Sequence, residues 1–361
     1  LTNLLLSTNP LRVIPPIENT EFIGHQKVEQ QLVQLVKNHK LPHAMLFAGP
    51  RGVGKATLAF RLAKYLLSGT EPADAGVNLF GEPAEENLAS DAENPAIQRI
   101  IAGTHGDLLR VQPEEDEKRK SSADTIYIEQ VRSVVEFMHH TPSEGSWRIV
   151  IVDPAEAMNP NAANALLKVL EEPPSQTLLM LISHQPGRLL PTIRSRCRVF
   201  SMPALKAEES EQIFSLQQSG VEPQSFSQLM RLAQQSPGMA MYFHEQDALT
   251  LYKQLLACML SGDAQAIQNF ASQSAKAPPK KWPVVKAMFT QMLYRLCLSQ
   301  KLAAQFEPLD AEEAQSLQQL GSKHPVAHWF ALWEKSESLL HETTTLMLDK
   351  KQVLLSLLAE R

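Results

Sequence analysis

The chain has 361 residues, 43% of them hydrophobic and 20% charged, with a formal net charge of −5. That is the composition of an ordinary globular protein of two or three domains, and its acidic balance excludes a strong, free-standing nucleic-acid binder. The three widely spaced cysteines, Cys197, Cys258 and Cys297, exclude a disulfide framework and a zinc site, and no apolar run approaches the roughly 20 residues of a membrane span. Residues 1–17 lack the basic start and long apolar core of a signal peptide, so a cytoplasmic protein with no membrane attachment is the expectation.

Residues 1–16 read as an irregular arm. A helix follows over 27–38, with Val28, Leu32, Val33 and Val36 on one face. Ala44–Ala48 reads as a short buried strand and 57–66 as a helix. Between them runs Gly49-Pro50-Arg51-Gly52-Val53-Gly54-Lys55-Ala56. This is the spacing of a phosphate-binding P-loop, in the strand–loop–helix context that gives the motif weight. Glycines let backbone N–H groups curl around phosphate oxygens, the helix start adds partial positive charge, and Lys55 adds a full one. The candidate nucleotide-binding residues are therefore Gly49, Gly52, Val53, Gly54, Lys55, Ala56 and Thr57. The motif departs at Ala56, where a Ser or Thr hydroxyl would ligate Mg²⁺.

Residues 69–94, rich in Gly, Pro, Ala and acids, read as a loop or mobile insertion. A short helix Pro95–Ile101 and a strand over 107–111 come next. The charge run 114–124 reads as a solvated loop, and 126–140 as a helix whose His139-His140 pair is a helix end, since a metal site needs convergent ligands.

The β-branched run 147–153 reads as a strand buried on both faces. It ends in Asp153, as a Walker B strand does, and Asp153 joins the candidate nucleotide-binding set. Pro154 follows where active P-loop enzymes of this kind carry a glutamate, and Glu156 is expected to point elsewhere. Asn159-Pro160 reads as an N-cap and first-turn proline, opening a helix over 161–172 that Pro173-Pro174 stops. Thr177–Ser183 reads as another buried strand. Ser183 suits either a polar sensor near a phosphate or a plain strand-end serine. Residues 191–200 supply a short helix and a final strand. Alternating strands and helices imply a parallel sheet covered on both faces.

From Leu205 the pattern turns wholly helical. Helices are expected over 208–216, 224–234 and 238–245. A separate all-helical domain then has helices over 249–260, 264–274, 282–299, 311–320, 326–340 and 346–359.

Taken together, the lead-in Leu41-Pro42-His43-Ala44, the P-loop, the run from Asn164 through Leu170-Glu171-Glu172-Pro173-Pro174, and Ser195-Arg196-Cys197 resemble the bacterial clamp-loader branch of the AAA+ ATPases. Ile151-Val152-Asp153-Pro154 and Leu348-Asp349-Lys350-Lys351-Gln352-Val353 resemble the form of the alphaproteobacterial members. The resemblance is strong over about 20–204 and rests mainly on helical pattern in the last domain. It implies an α/β fold: a RecA-like P-loop domain over 1–204, a small helical lid over 205–247, and a helical collar over 248–361. The collar of such proteins joins five subunits into an open ring, which opens a sliding clamp and places it on primed DNA. The ring's stationary member contacts a delta subunit and an ATP-binding gamma/tau subunit. DNA contacts from this chain are expected to be weak and mostly to phosphates.

The resemblance makes Arg196 an arginine finger, the catalytic candidate, acting in trans on a neighbour's ATP. A guanidinium is always charged and can grip phosphate oxygens through two N–H groups. Three departures stand together: Ala56, Pro154, and Ser236-Pro237-Gly238-Met239, which lacks the lid arginine that active relatives often carry. They imply a chain with no ATPase activity of its own, and the resemblance implies a subunit of the DNA polymerase III holoenzyme without polymerase activity. ATP or ADP would be held without hydrolysis, with Mg²⁺ only alongside nucleotide. Residues 69–106 contain no cysteine, so the zinc module of many family members is not expected. The alternatives are a catalytically active gamma/tau-like motor, which Ala56 and Pro154 disfavour, and a degenerate AAA+ regulator outside replication, which Ser195-Arg196-Cys197 disfavours.

Overall fold

The computed structural model describes residues 14–69, 87–113, 125–143, 147–216, 222–278, 281–345 and 347–361. Most of the expected N-terminal arm, most of the 69–94 insertion and all of the 114–124 charge run lie outside these residues. The chain divides into two compact units, one over residues 12–218 and one containing residues 219–361.

The first unit is a five-stranded sheet with helices on both faces. Its elements are α1 (Gln26–Lys37), β1 (Ala44–Ala48), α2 (Lys55–Leu67), α3 (Pro95–Ile101), β2 (Leu108–Val111), α4 (Ile128–His139), β3 (Arg148–Val152), α5 (Pro160–Glu171), β4 (Thr177–Ser183), α6 (Pro191–Arg194), β5 (Arg198–Ser201) and α7 (Ala207–Leu216). The strand order is β2-β3-β4-β1-β5, and every neighbouring pair is parallel. Parallel strands all finish on one edge, so the loops after β1, β3 and β4 emerge side by side.

The period of two along each strand builds two cores. Met45, Phe47, Ile149, Ile151, Met180 and Ile182 pack on one face with Leu32 of α1 and Leu58 and Leu62 of α2. Leu46, Val150, Val152, Leu179 and Leu181 pack on the other with Val131 and Val134 of α4 and Leu166 and Leu170 of α5. Strands buried on both sides cannot show a polar alternation, and their near-continuous apolar runs follow from that.

Capping fixes the helix starts. Asn94 accepts from the Ala96 N–H at 2.9 Å ahead of α3, and Asn159 from the Ala162 N–H at 2.8 Å ahead of α5. The helix expected from 126 instead starts at Ile128. Ile126 is drawn into a parallel bridge with Met158, donating its N–H to Ala157 O at 2.8 Å.

The second unit is wholly helical: α8 (Pro223–Leu232), α9 (Pro237–Glu245), α10 (Ala248–Ser261), α11 (Ala264–Lys276), α12 (Trp282–Lys301), α13 (Ala311–Lys323), α14 (Val326–Thr345) and α15 (Lys350–Ala359). The last helix starts at Lys350 rather than 346, because Asp349 caps it, accepting from the Gln352 N–H at 2.8 Å.

A buried carboxylate organises this bundle. Glu313 Oε1 accepts from the Tyr252 hydroxyl and from Arg295 Nε at 2.7 Å. Its Oε2 accepts from Arg295 Nη2 at 2.8 Å and the Leu309 N–H at 2.6 Å. Next to it, Asp310 caps α13, accepting from the Glu313 N–H at 2.8 Å, and also takes Gln228 Nε2 of α8 at 3.1 Å. Arg231 of α8 donates to Pro308 O, so α8 is bound into the bundle through this segment.

Candidate functional site

The P-loop leaves the end of β1. The Gly49 N–H donates to Ser183 O at 3.2 Å. A side chain at Gly49 is excluded, since its Cβ would lie 1.8 Å from the Met202 carbonyl oxygen. Gly52 and Gly54 take φ values of 79° and 98°, the left-handed conformation that glycine adopts without strain. Gly54 begins α2 with no side-chain cap, which leaves the first helical N–H groups for another acceptor. Val53 is buried in the core beneath the loop, Ala56 packs against that core from a half-buried position, and Thr57 is buried.

Lys55 is only 3% exposed. Its Nζ donates to Gly49 O at 2.7 Å and to Pro50 O, so the loop wraps its own lysine. Burial pushes the ammonium down to about 8, helped by Arg51 and opposed by Asp153 and Glu156.

Asp153 follows β3 and donates its backbone N–H to Val111 O at 2.9 Å. Burial raises its carboxyl above the ordinary range, against the pull of Arg110, Lys55 and Arg51. Pro154 then leads into a 3-10 turn, Ala155–Ala157. Glu156 on that turn, expected from the sequence to point elsewhere, turns toward the end of β4. Its Oε1 accepts from the His184 N–H at 2.8 Å and the Gln185 N–H at 3.2 Å, and its charge acts on both Lys55 and Asp153. The physical reason is that the turn folds back over the end of β4, whose free N–H groups attract a carboxylate.

His184 is pushed down to about 3 by burial and by Lys55 and Arg51, so its imidazole stays neutral. Ser183 is fully buried, and its Oγ has no partner among the described residues. From the other side, His25 meets the Val53 backbone and is lowered by burial. Sequence reasoning missed Glu156, His184 and His25. The polar Gly24-His25 break just before an amphipathic helix was the one available signal.

Gly49, Gly52, Val53, Gly54, Lys55, Ala56, Thr57 and Asp153 thus gather at the carboxyl edge of the sheet. Arg196 does not join them. It precedes β5, and Arg198 pairs with Met45 near the start of β1, whereas the P-loop follows Ala48. At ~3.3 Å per residue the two levels are separated by roughly 13 Å of sheet. Arg196 sits at the opposite edge from its own P-loop. It is 36% exposed, with Nη2 2.8 Å from Glu171 Oε1 and Nη1 donating to Thr192 O at 3.0 Å. Beside it, burial pushes the Cys197 thiol up to about 12, so it is no nucleophile near neutral pH.

The described residues contain no group of three or more His, Cys, Asp or Glu side chains able to hold a metal, and no helix among them is long and apolar enough to cross a membrane.

Residues 24–206 match the family described as DNA polymerase III, delta subunit. DNA polymerase III subunit delta' of Pseudomonas aeruginosa is 41% identical over 204 residues, covering 56% of this chain and 56% of the relative. The Bacillus subtilis subunit delta' is 34% identical over 188 residues, 51% of this chain and 49% of the relative. The chain spans about half the length of these curated relatives, and neither bears on the alphaproteobacterial form expected from the motifs. A solved DNA polymerase III gamma-subunit-related protein from Thermotoga maritima aligns with a TM-score of 0.42 at 18% identity, covering 92% of this chain and 100% of that one.

Proposed function

We propose that this chain, which belongs to the DNA polymerase III delta-subunit family, serves as the stationary, delta-prime-type subunit of a clamp loader. Its α/β unit is of the AAA+ class. In the proposed assembly it stands in a five-subunit ring beside a delta subunit and a gamma/tau-type ATPase, helps load a sliding clamp onto primed DNA in the cytoplasm, and touches DNA mainly at phosphates. It does not hydrolyse ATP itself. It supplies Arg196 to the ATP of a neighbour.

The observation that carries this reading is the placement of Arg196. A part-exposed, ion-paired arginine at the sheet edge opposite its own P-loop is out of reach of nucleotide held there, which supports a role toward a neighbour's nucleotide. A finger delivered in trans is worth roughly 10³–10⁵ in phosphoryl-transfer rate, because a positioned guanidinium neutralises charge that builds on the transferred phosphate.

The chain's own loop fits a phosphate, since the left-handed glycines and the uncapped start of α2 offer N–H groups and Lys55 a cation. It fits Mg²⁺ poorly, because Ala56 stands where a Ser or Thr hydroxyl would ligate the ion. Bound ATP or ADP, held by Gly52, Gly54 and Lys55, would therefore act as a structural ligand. No zinc is part of the proposal.

The test is Arg196→Ala in the reconstituted loader with clamp and primed DNA. Loss of most DNA-stimulated turnover with assembly intact supports the finger. Normal turnover overturns it.

A further inference from the structure

Arg196 rests in an ion pair that the finger reading leaves unexplained. Glu171 is the last residue of α5 and is followed by Glu172. Carboxylates there face the negative end of the helix dipole, where a cation is favoured. Lys168 is the only basic residue in that last turn. Arg196 supplies the further cation, through Nη2 to Glu171 Oε1 at 2.8 Å, while Nη1 is turned to Thr192 O at 3.0 Å.

We propose that Glu171 is a positioning residue that parks the finger. It holds the Arg196 guanidinium in a charge-neutral pair until a neighbour's nucleoside triphosphate competes for it. This rests on the finger reading above. A guanidinium matched to a carboxylate brings little net charge to a phosphate, so the parked state is a weak catalyst. A triphosphate carries more negative charge than one carboxylate and presents oxygens for bidentate capture, so it wins once the subunits close.

The pair suits release. Arg196 and Glu171 are 36% and 53% exposed, and ion pairs this open to solvent are weak. A latch of that strength biases the resting population without limiting the engaged state. It therefore affects turnover before clamp and DNA arrive and leaves the fully stimulated rate alone.

The experiment is Glu171→Gln in the full chain, assembled with the loader's other subunits. Gln keeps the side chain's length and a carbonyl acceptor but removes the charge. Turnover without clamp or DNA should rise about two- to fivefold, the range a weak surface pair spans, with the stimulated rate unchanged. In an Arg196→Ala background the same substitution should change neither rate, which a merely structural role for Glu171 would not predict. Unchanged or reduced basal turnover in Glu171→Gln, with Arg196→Ala still silencing stimulation, overturns the latch and leaves the finger standing. Normal stimulated turnover in Arg196→Ala overturns both.

Discussion

Lys55 Nζ donates to the carbonyl oxygen of Gly49 at 2.7 Å, so the cation of the P-loop is bonded to the loop that presents it. Burial beneath that loop lowers its pKa to about 8, well below the value near 10.4 of a lysine in water. The folded state therefore binds fewer protons than the unfolded chain between about pH 8 and pH 10.4. Stability from this group rises across that window and is lost as pH falls through 8. The full swing is about 3 kcal/mol. In urea unfolding, the stability gap between Lys55→Met and the native chain should favour the variant more at pH 7 than at pH 10. A gap that does not change with pH would show the lysine to be unperturbed.

Among the described glycines, Gly49 meets the nearest atom to an added side chain. An alanine Cβ would sit 1.8 Å from Met202 O, just beside the Met202 N–H bond to Ala48 O at 2.8 Å that extends the β1–β5 pairing. Gly49→Ala should cost roughly 3 kcal/mol. Gly103→Ala, at a left-handed position with open space around it, should cost about 1–2 kcal/mol. Chemical denaturation of the two variants gives the comparison.

The helical unit should be most sensitive at Glu313. Glu313→Gln leaves Arg295, paired at 2.7 Å and buried, without its counter-charge, at a cost of about 3–5 kcal/mol. Tyr252→Phe removes one donor to the same carboxylate and should cost about 1 kcal/mol. Circular dichroism melts of both variants test the ranking. Equal, small effects would mean the triad is not what holds the bundle.

Much of this fold could be read from local chemistry. Ala44–Ala48, Pro95–Ile101 and Thr177–Ser183 were bounded correctly, because the first apolar run ends at Gly49, Asn94-Pro95 opens the helix, and the last run is set off by Pro173-Pro174 before it and polar His184-Gln185 after it. The P-loop residues and Asp153 were legible because a parallel sheet brings successive strand ends to one edge. What escaped were contacts made across long stretches of chain. Ile126 bridges to Met158, Glu156 reaches the backbone after β4, and Glu171 meets Arg196. No window of sequence contains both partners in these cases, and periodicity carries no trace of them.

ATP hydrolysis by the purified chain, alone and then with gamma/tau-type and delta subunits, clamp and primed DNA, tests the central claim most directly. The account predicts silence from the chain alone and strong stimulation in the mixture that depends on Arg196 and survives Lys55→Ala. Robust hydrolysis by the chain alone, abolished by Lys55→Ala, would contradict it and make this subunit a motor.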